Sequence, residues 1–163
     1  MDPEHPDEPP DRASGKDPTA ADFVVRDAEW ARDEPALRAV RQAVFVAEQH
    51  VPIELEWDGI DAHCRHLLAL DDQGQPVGCA RLLPDGRIGR MAVLAGWRGR
   101  GVGRAMLRGM IARARAAGLA EATLHAQVHA LGFYAREGFR AFGPVFDDAG
   151  IPHRAMVLAL QRD

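Results

Sequence analysis

Trp97-Arg-Gly-Arg-Gly-Val-Gly-Arg104 follows an apolar stretch, Met91–Leu94, and opens an amphipathic helix. Its three glycines, Gly99, Gly101 and Gly103, stand at alternate positions. They leave backbone N–H groups uncovered and tolerate positive φ, so those N–H groups can converge on one point. The helix that follows aims the positive end of its dipole there, and Arg98, Arg100 and Arg104 add charge. The stretch reads as a phosphate cradle after a strand. A glycine-rich turn that merely caps a helix is the simpler alternative, though a single glycine would serve for that.

Length and composition bound what the cradle serves. The chain has 163 residues, 47% of them hydrophobic, enough for one globular domain. No apolar run approaches the roughly 20 residues of a membrane span, and the start, Met-Asp-Pro-Glu, has no secretory leader pattern. Two cysteines, Cys64 and Cys79, form no Cys-x-x-Cys site, which fits a reduced, cytoplasmic protein. The formal charge is −4, but the first 22 residues carry seven acids against Arg12 and Lys16, a local −5 that leaves the remainder at +1. So balanced a charge argues against a nucleic-acid partner, while arginines grouped over 81–115 suit a small polyanion.

Residues 1–21 hold five prolines and many acids without apolar periodicity, and are expected to be a disordered tail. Residues 22–163 are expected to form a single domain. Phe23–Asp27 reads as a strand. Asp33 reads as the N-cap of a helix over 34–48, with Leu37, Val40, Val44 and Phe45 on one face. An acid-rich loop begins at Val51. Strands over 64–70, 77–83 and 88–94 follow, separated by turn chemistry at 71–76 and 84–86. A helix over 101–117 points Met106, Leu107, Met110, Ile111 and Ala114 inward, and Arg108, Arg113 and Arg115 outward. A strand at 121–127, a short helix at 129–136 and strands at 139–146 and 155–160 complete an α+β domain around one mixed sheet.

Two phosphate-loop patterns fail. A P-loop needs Gly-Lys-Ser/Thr, and the loop has no lysine. A dinucleotide fingerprint needs a third glycine where Met106 stands, and it belongs after the first strand rather than the fourth. Arg98-x-x-Gly101-x-Gly103, after a strand and opening a helix, instead resembles the pyrophosphate loop of the GCN5-related N-acetyltransferases (GNAT).

That resemblance spans residues 22–162. It implies a GNAT acyl-CoA N-acyltransferase fold with acetyl-CoA as cosubstrate, its pyrophosphate held by the N–H groups of Arg98, Gly99, Arg100, Gly101, Val102, Gly103 and Arg104. It further implies that the strand residues Met91, Ala92 and Val93 offer their backbone to the pantetheine arm. One N–H there would polarise the thioester carbonyl. The family's second motif, Asn-x-x-Ala-x-x-x-Tyr-x-x-x-Gly-Phe, is matched by Gln127-Val-His-Ala130-Leu-Gly-Phe-Tyr134-Ala-Arg-Glu-Gly138-Phe139, with Gln127 in place of Asn. The resemblance gives Gln127 a contact with the CoA arm. It gives Tyr134, the sole tyrosine, the role of general acid toward the departing thiolate. Aromatic packing is the alternative role for Tyr134.

Upstream, Val44-Phe-Val-Ala-Glu48-Gln49-His-Val-Pro52, followed by Glu54, Glu56, Asp58, Asp61 and His66, resembles the ElaA/YjcF-like branch of this family. Ala149-Gly-Ile-Pro-His153-x-x-Met156 resembles the same branch. These residues mark an acceptor pocket: Glu48, Gln49, Glu54, Asp58, His66 and His153 as substrate-binding, with Glu48, His66 and His153 as candidate bases. Carboxylates in one loop suit a cationic amine, while a solvated acidic loop and structural histidines are the plainer readings. His125 and His129 straddle a strand–helix junction, and His63, Cys64 and His66 lack distal partners, so no metal is expected. The expected activity is acetyl transfer from acetyl-CoA to a primary amine of a small molecule or peptide. The rival is a non-catalytic acyl-CoA-binding sensor. The resemblance also admits a homodimer.

Overall fold

In the computed structural model, which describes residues 22–160, seven strands form one mixed sheet in the order β1-β2-β3-β4-β5-β7-β6. β1 (Phe23–Ala28), β2 (Arg65–Asp71), β3 (Pro76–Leu82) and β4 (Arg87–Val93) pair antiparallel in succession. β5 (Glu121–Gln127) lies parallel to β4. The hairpin of β6 (Arg140–Asp148) and β7 (Ile151–Ala159) then adds on with β7 against β5. The α+β class and the element order agree with the sequence reading. The acidic segment expected to be disordered, residues 1–21, lies outside the described residues.

Two helical layers cover the sheet. α3 (Val102–Ala116) buries Val102, Met106, Leu107, Met110, Ile111 and Ala114, the inward set expected from its periodicity, plus Val102. These join Leu67 and Ala69 of β2 in one core cluster. Leu68, Cys79 and Ala92 join Leu37, Val40, Val44 and Phe45 in the second, because alternate strand residues face opposite sides of the sheet. Gly78 brings α3 close to β3: a Cβ there would stand 3.0 Å from both Val102 Cγ1 and Met106 Cε.

The first helix departs from expectation. α1 runs Trp30–Arg41 with Glu29, not Asp33, at the cap position, and residues 42–48 continue as a π-helix. Asp33 works from inside the helix instead. Its carboxylate accepts from Glu29 N–H at 2.9 Å, and from both terminal nitrogens of Arg26 on β1 at 2.9 and 3.1 Å. Tied to the strand in this way, the helix starts earlier. The wider π turn, marked by Gln49 N–H bonding Val44 O at 2.9 Å, keeps Val44 and Phe45 buried while carrying Glu48 and Gln49 toward the sheet. The segment after Val51 is not plain loop either: it contains the single-turn helix α2 (Ile53–Glu56).

β4 and β5 pair only at Arg87↔Thr123 and Ile88↔Leu124, then separate. The cause sits in β4. Arg90 has φ 45°, and the β3–β4 register slips between Cys79 and Arg81. This is a bulge, with an extra residue that bends the strand. Met91, Ala92 and Val93 therefore form one lip of a wedge, and His125, Ala126 and Gln127 the other.

Candidate active site

The glycine loop stands where the wedge opens. After Val93 the chain makes a 3₁₀ turn, Ala95–Trp97, and enters α3 through Gly99 (φ 73°) and Gly101 (φ 87°). No side chain caps α3, and its first intrahelical bond runs from Ala105 N–H to Gly101 O at 3.0 Å. The N–H groups of the first turn thus face outward with the helix dipole behind them. A Cβ on Gly101 would meet nothing within 4 Å, so the space above the loop is open to a bulky anion. Fit to a diphosphate is good.

The loop arginines are less free than the sequence suggests. Arg98 donates to Val93 O at 3.1 Å and pairs with Glu48 at 2.7 Å. Arg100 lies over the Trp97 ring at 3.9 Å and pairs with Asp22 at 2.8 Å. Arg104 is largely exposed, 3.8 Å from Glu137. Backbone amides, with Arg104 beside them, are what the loop offers an anion.

The π-helix end reaches both lips. Glu48 holds Arg98 behind the β4 lip. The next residue, Gln49, accepts from Gln127 Nε2 at 3.0 Å on the β5 lip. Gln127 is buried, and its Oε1 also lies 2.6 Å from His129 Nε2. Glu48, Gln49, Arg98 and Gln127, far apart in sequence, therefore assemble around one opening. Tyr134 is buried in α4 (Leu131–Ala135), edge-on to Phe133 at 5.0 Å and to Phe139 at 6.1 Å.

The acidic segment is pinned by arginines that sequence reasoning did not single out. Arg41 is 1% exposed and reaches Glu56 at 2.6 Å and Asp61 at 2.7 Å. Arg81 forks onto Asp58 at 2.9 and 3.0 Å and touches Asp61 at 3.1 Å. Arg90 lies 3.4 Å from both Glu56 and Asp58. Burial pushes the Glu56 carboxyl up. Against the same push from burial, Arg81 holds Asp58 down to about 2, and Arg41 and Arg81 hold Asp61 below its ordinary value. One signal for Arg41 was legible: it lies in the stripe of Leu37, Val40 and Val44, where a charge implies a buried partner. Glu54 is exposed.

The two histidines part company. His66 is buried on β2, stacked on Trp30 at 5.4 Å, with Nε2 at 2.8 Å from Asp61 O. β3 lies between it and β4, so it is not at the wedge. His153 on β7 pairs in register with Gln127, at the β5 lip. Among the described residues no group of three or more His, Cys, Asp or Glu could hold a metal ion. None of their helices is long and apolar enough to cross a membrane.

Known proteins share this fold. The model of the acetyltransferase (GNAT) domain matches residues 28–160. The chain is 37% identical over 122 residues to the uncharacterized N-acetyltransferase YjcF of Bacillus subtilis, covering 72% of this chain and 86% of that one. Among solved structures, an acyl-CoA N-acyltransferase from Pseudomonas aeruginosa superposes with a TM-score of 0.74 at 31% identity, over 84% of this chain and 99% of the other. Escherichia coli ElaA superposes with a TM-score of 0.74 at 28% identity, over 83% of this chain and 98% of the other.

Proposed function

Because the chain belongs to the GNAT acetyltransferase family, and is thus an acyltransferase, we propose that it transfers the acetyl group of acetyl-CoA to a primary amine by direct attack. The wedge carries this reading: β4 and β5 part after Ile88 and Leu124, and the uncapped N-terminus of α3 stands at the opening. Diphosphate binds the first-turn N–H groups, as anions do at helix N-termini. Met91, Ala92 and Val93 hold the pantetheine arm through backbone groups on their β5-facing edge. A β4 N–H at the thioester carbonyl stabilises the oxyanion that forms on attack.

Gln127 exchanges part of its bonding with Gln49 and His129 for the CoA arm. Glu48 acts by holding Arg98, and through it the loop. Tyr134 protonates the departing thiolate, a suitable task for a phenol. Exposed Glu54 and the outer edge of Asp58 present negative charge to a cationic acceptor. Holding both substrates in line supplies much of the acceleration.

Calorimetric titration with acetyl-CoA and with ATP, followed by thiol-release assays against a panel of primary amines, tests the proposal. Binding of acetyl-CoA in preference to ATP, and amine-stimulated thiol release, are expected. Acetyl-CoA binding with no stimulation by any amine would make the protein a sensor.

A further inference from the structure

β7 carries an imidazole that the scheme above leaves unused. His153 is 0% exposed and sits across from Gln127 on one side and Phe146 on the other. Phe146 lies nearly parallel to its ring at 6.0 Å and meets His125 edge-on at 5.1 Å. His153 Nδ1 stands 2.7 Å from Ile151 O. A carbonyl oxygen only accepts, so Nδ1 carries the proton and the neutral ring keeps its lone pair on Nε2. Nε2 is buried and has no hydrogen-bond partner among the described residues. A buried basic nitrogen in that condition is uncommon and calls for a functional reason.

Register gives its place. β4 and β5 part after Ile88↔Leu124, and Gln127 ends β5 beyond that point, on the lip that the bulged β4 has left. His153 flanks Gln127 on the far side of β5. The ring thus stands beside the end of the β5 lip.

We infer that His153 is the general base of the transfer, a step that rests on the acetyl-transfer reading above. Nε2 takes a proton from the acceptor ammonium, directly or through one water, and the freed nitrogen lone pair attacks the thioester carbonyl. The N–C bond forms, the C–S bond breaks and Tyr134 gives the thiolate its proton; the amide nitrogen sheds its second proton, which restores the Tyr134 phenol, and the imidazolium returns its own to solvent. Burial favours the neutral ring needed at the outset. The titratable groups around it are His125 on β5, whose charge would oppose protonation, and Asp148 on β6, which favours it. His129 beyond them is held to Gln127.

His153→Asn keeps a donor for Ile151 O and removes the basic nitrogen. Thiol release is measured across pH with n-propylamine, a cation near neutrality, and with hydroxylamine, whose nitrogen is already unprotonated there. The variant is expected to lose about 10²-fold or more in kcat with n-propylamine, together with the acidic limb of the pH profile, while largely retaining the hydroxylamine rate. Acetyl-CoA affinity and melting temperature should hold. Equal losses with both amines, or an unchanged acidic limb, would overturn the assignment. If wild-type protein releases no thiol with either amine, the transfer reading fails and the inference falls with it.

Discussion

Arg98 shows how little a residue's type says about its use. The sequence offers it as a cation for a phosphate, yet its guanidinium is engaged by Glu48 and by the Val93 carbonyl. Glu48, expected as a base, pairs with Arg98 at 2.7 Å in this arrangement. Tyr134 keeps both of its sequence readings, since its ring packs against Phe133 and Phe139 from a buried site. The substitution Tyr134→Phe separates them. It preserves the ring and removes the acid, so kcat should fall by about 10²-fold with acetyl-CoA affinity unchanged. Steady-state kinetics beside a calorimetric titration check this, and equal kcat for the two proteins would leave Tyr134 a packing residue.

Among the elements, the bulge in β4 and the π-helix matter most. The bulge at Arg90 creates the wedge by turning β4 away from β5. The π-helix positions neighbouring residues, Glu48 and Gln49, on the two sides of that wedge. In the proposed site, α3 contributes its N-terminus. Gly101 at φ 87° is in a conformation that costs an L-residue about 1–2 kcal/mol. Its missing Cβ also keeps the cradle open. Gly101→Ala should therefore lower the melting temperature by a few degrees and weaken acetyl-CoA binding by roughly tenfold or more, the side chain standing where the diphosphate belongs. An unchanged dissociation constant would remove the α3 N-terminus from the binding site.

At the scale of the molecule, Arg41, Arg81 and Arg90 join α1, α2, β3 and β4 through Glu56, Asp58 and Asp61. The network gives stability a definite acid dependence. Asp58 ionises at about 2 in the fold against an ordinary 3.8, so its contribution is complete above the ordinary value and lost as pH falls through about 2. With 29% of its side chain exposed, that contribution is about 1–2 kcal/mol. Asp33 and Asp61 shift the same way, while Glu56, raised by burial, opposes them. Burial favours the neutral rings of His66, His125 and His153, so the melting temperature should begin to fall as pH drops below about 6.5 and fall further between about pH 4 and 2. Asp58→Asn should melt lower than wild type at pH 7, with the gap closing at the acidic end. A gap that does not narrow would place the value of Asp58 elsewhere than in its charge.

Much of the fold was legible because local patterns carried it. The 3.6-residue period of α3 named the residues that are buried, and turn chemistry at 71–76 and 84–86 separated β2, β3 and β4. The glycine loop was legible for the same reason, as a strand–turn–helix junction needs only neighbours in sequence. What stayed hidden depends on distance along the chain. Asp33 was misread as a cap because Arg26, on another element, lets the helix begin at Trp30. The acids of 54–61 read as an exposed lure for an amine because their arginine partners lie up to 34 residues away. The sequence by itself determined the domain's α+β architecture and the glycine-rich strand–turn–helix junction, both products of short-range periodicity and backbone freedom. Only the tertiary structure decided which charges are committed to one another and that His153 Nε2 finds no hydrogen-bond partner among the described residues, because pairing in a buried interior is settled by contacts that no local pattern records.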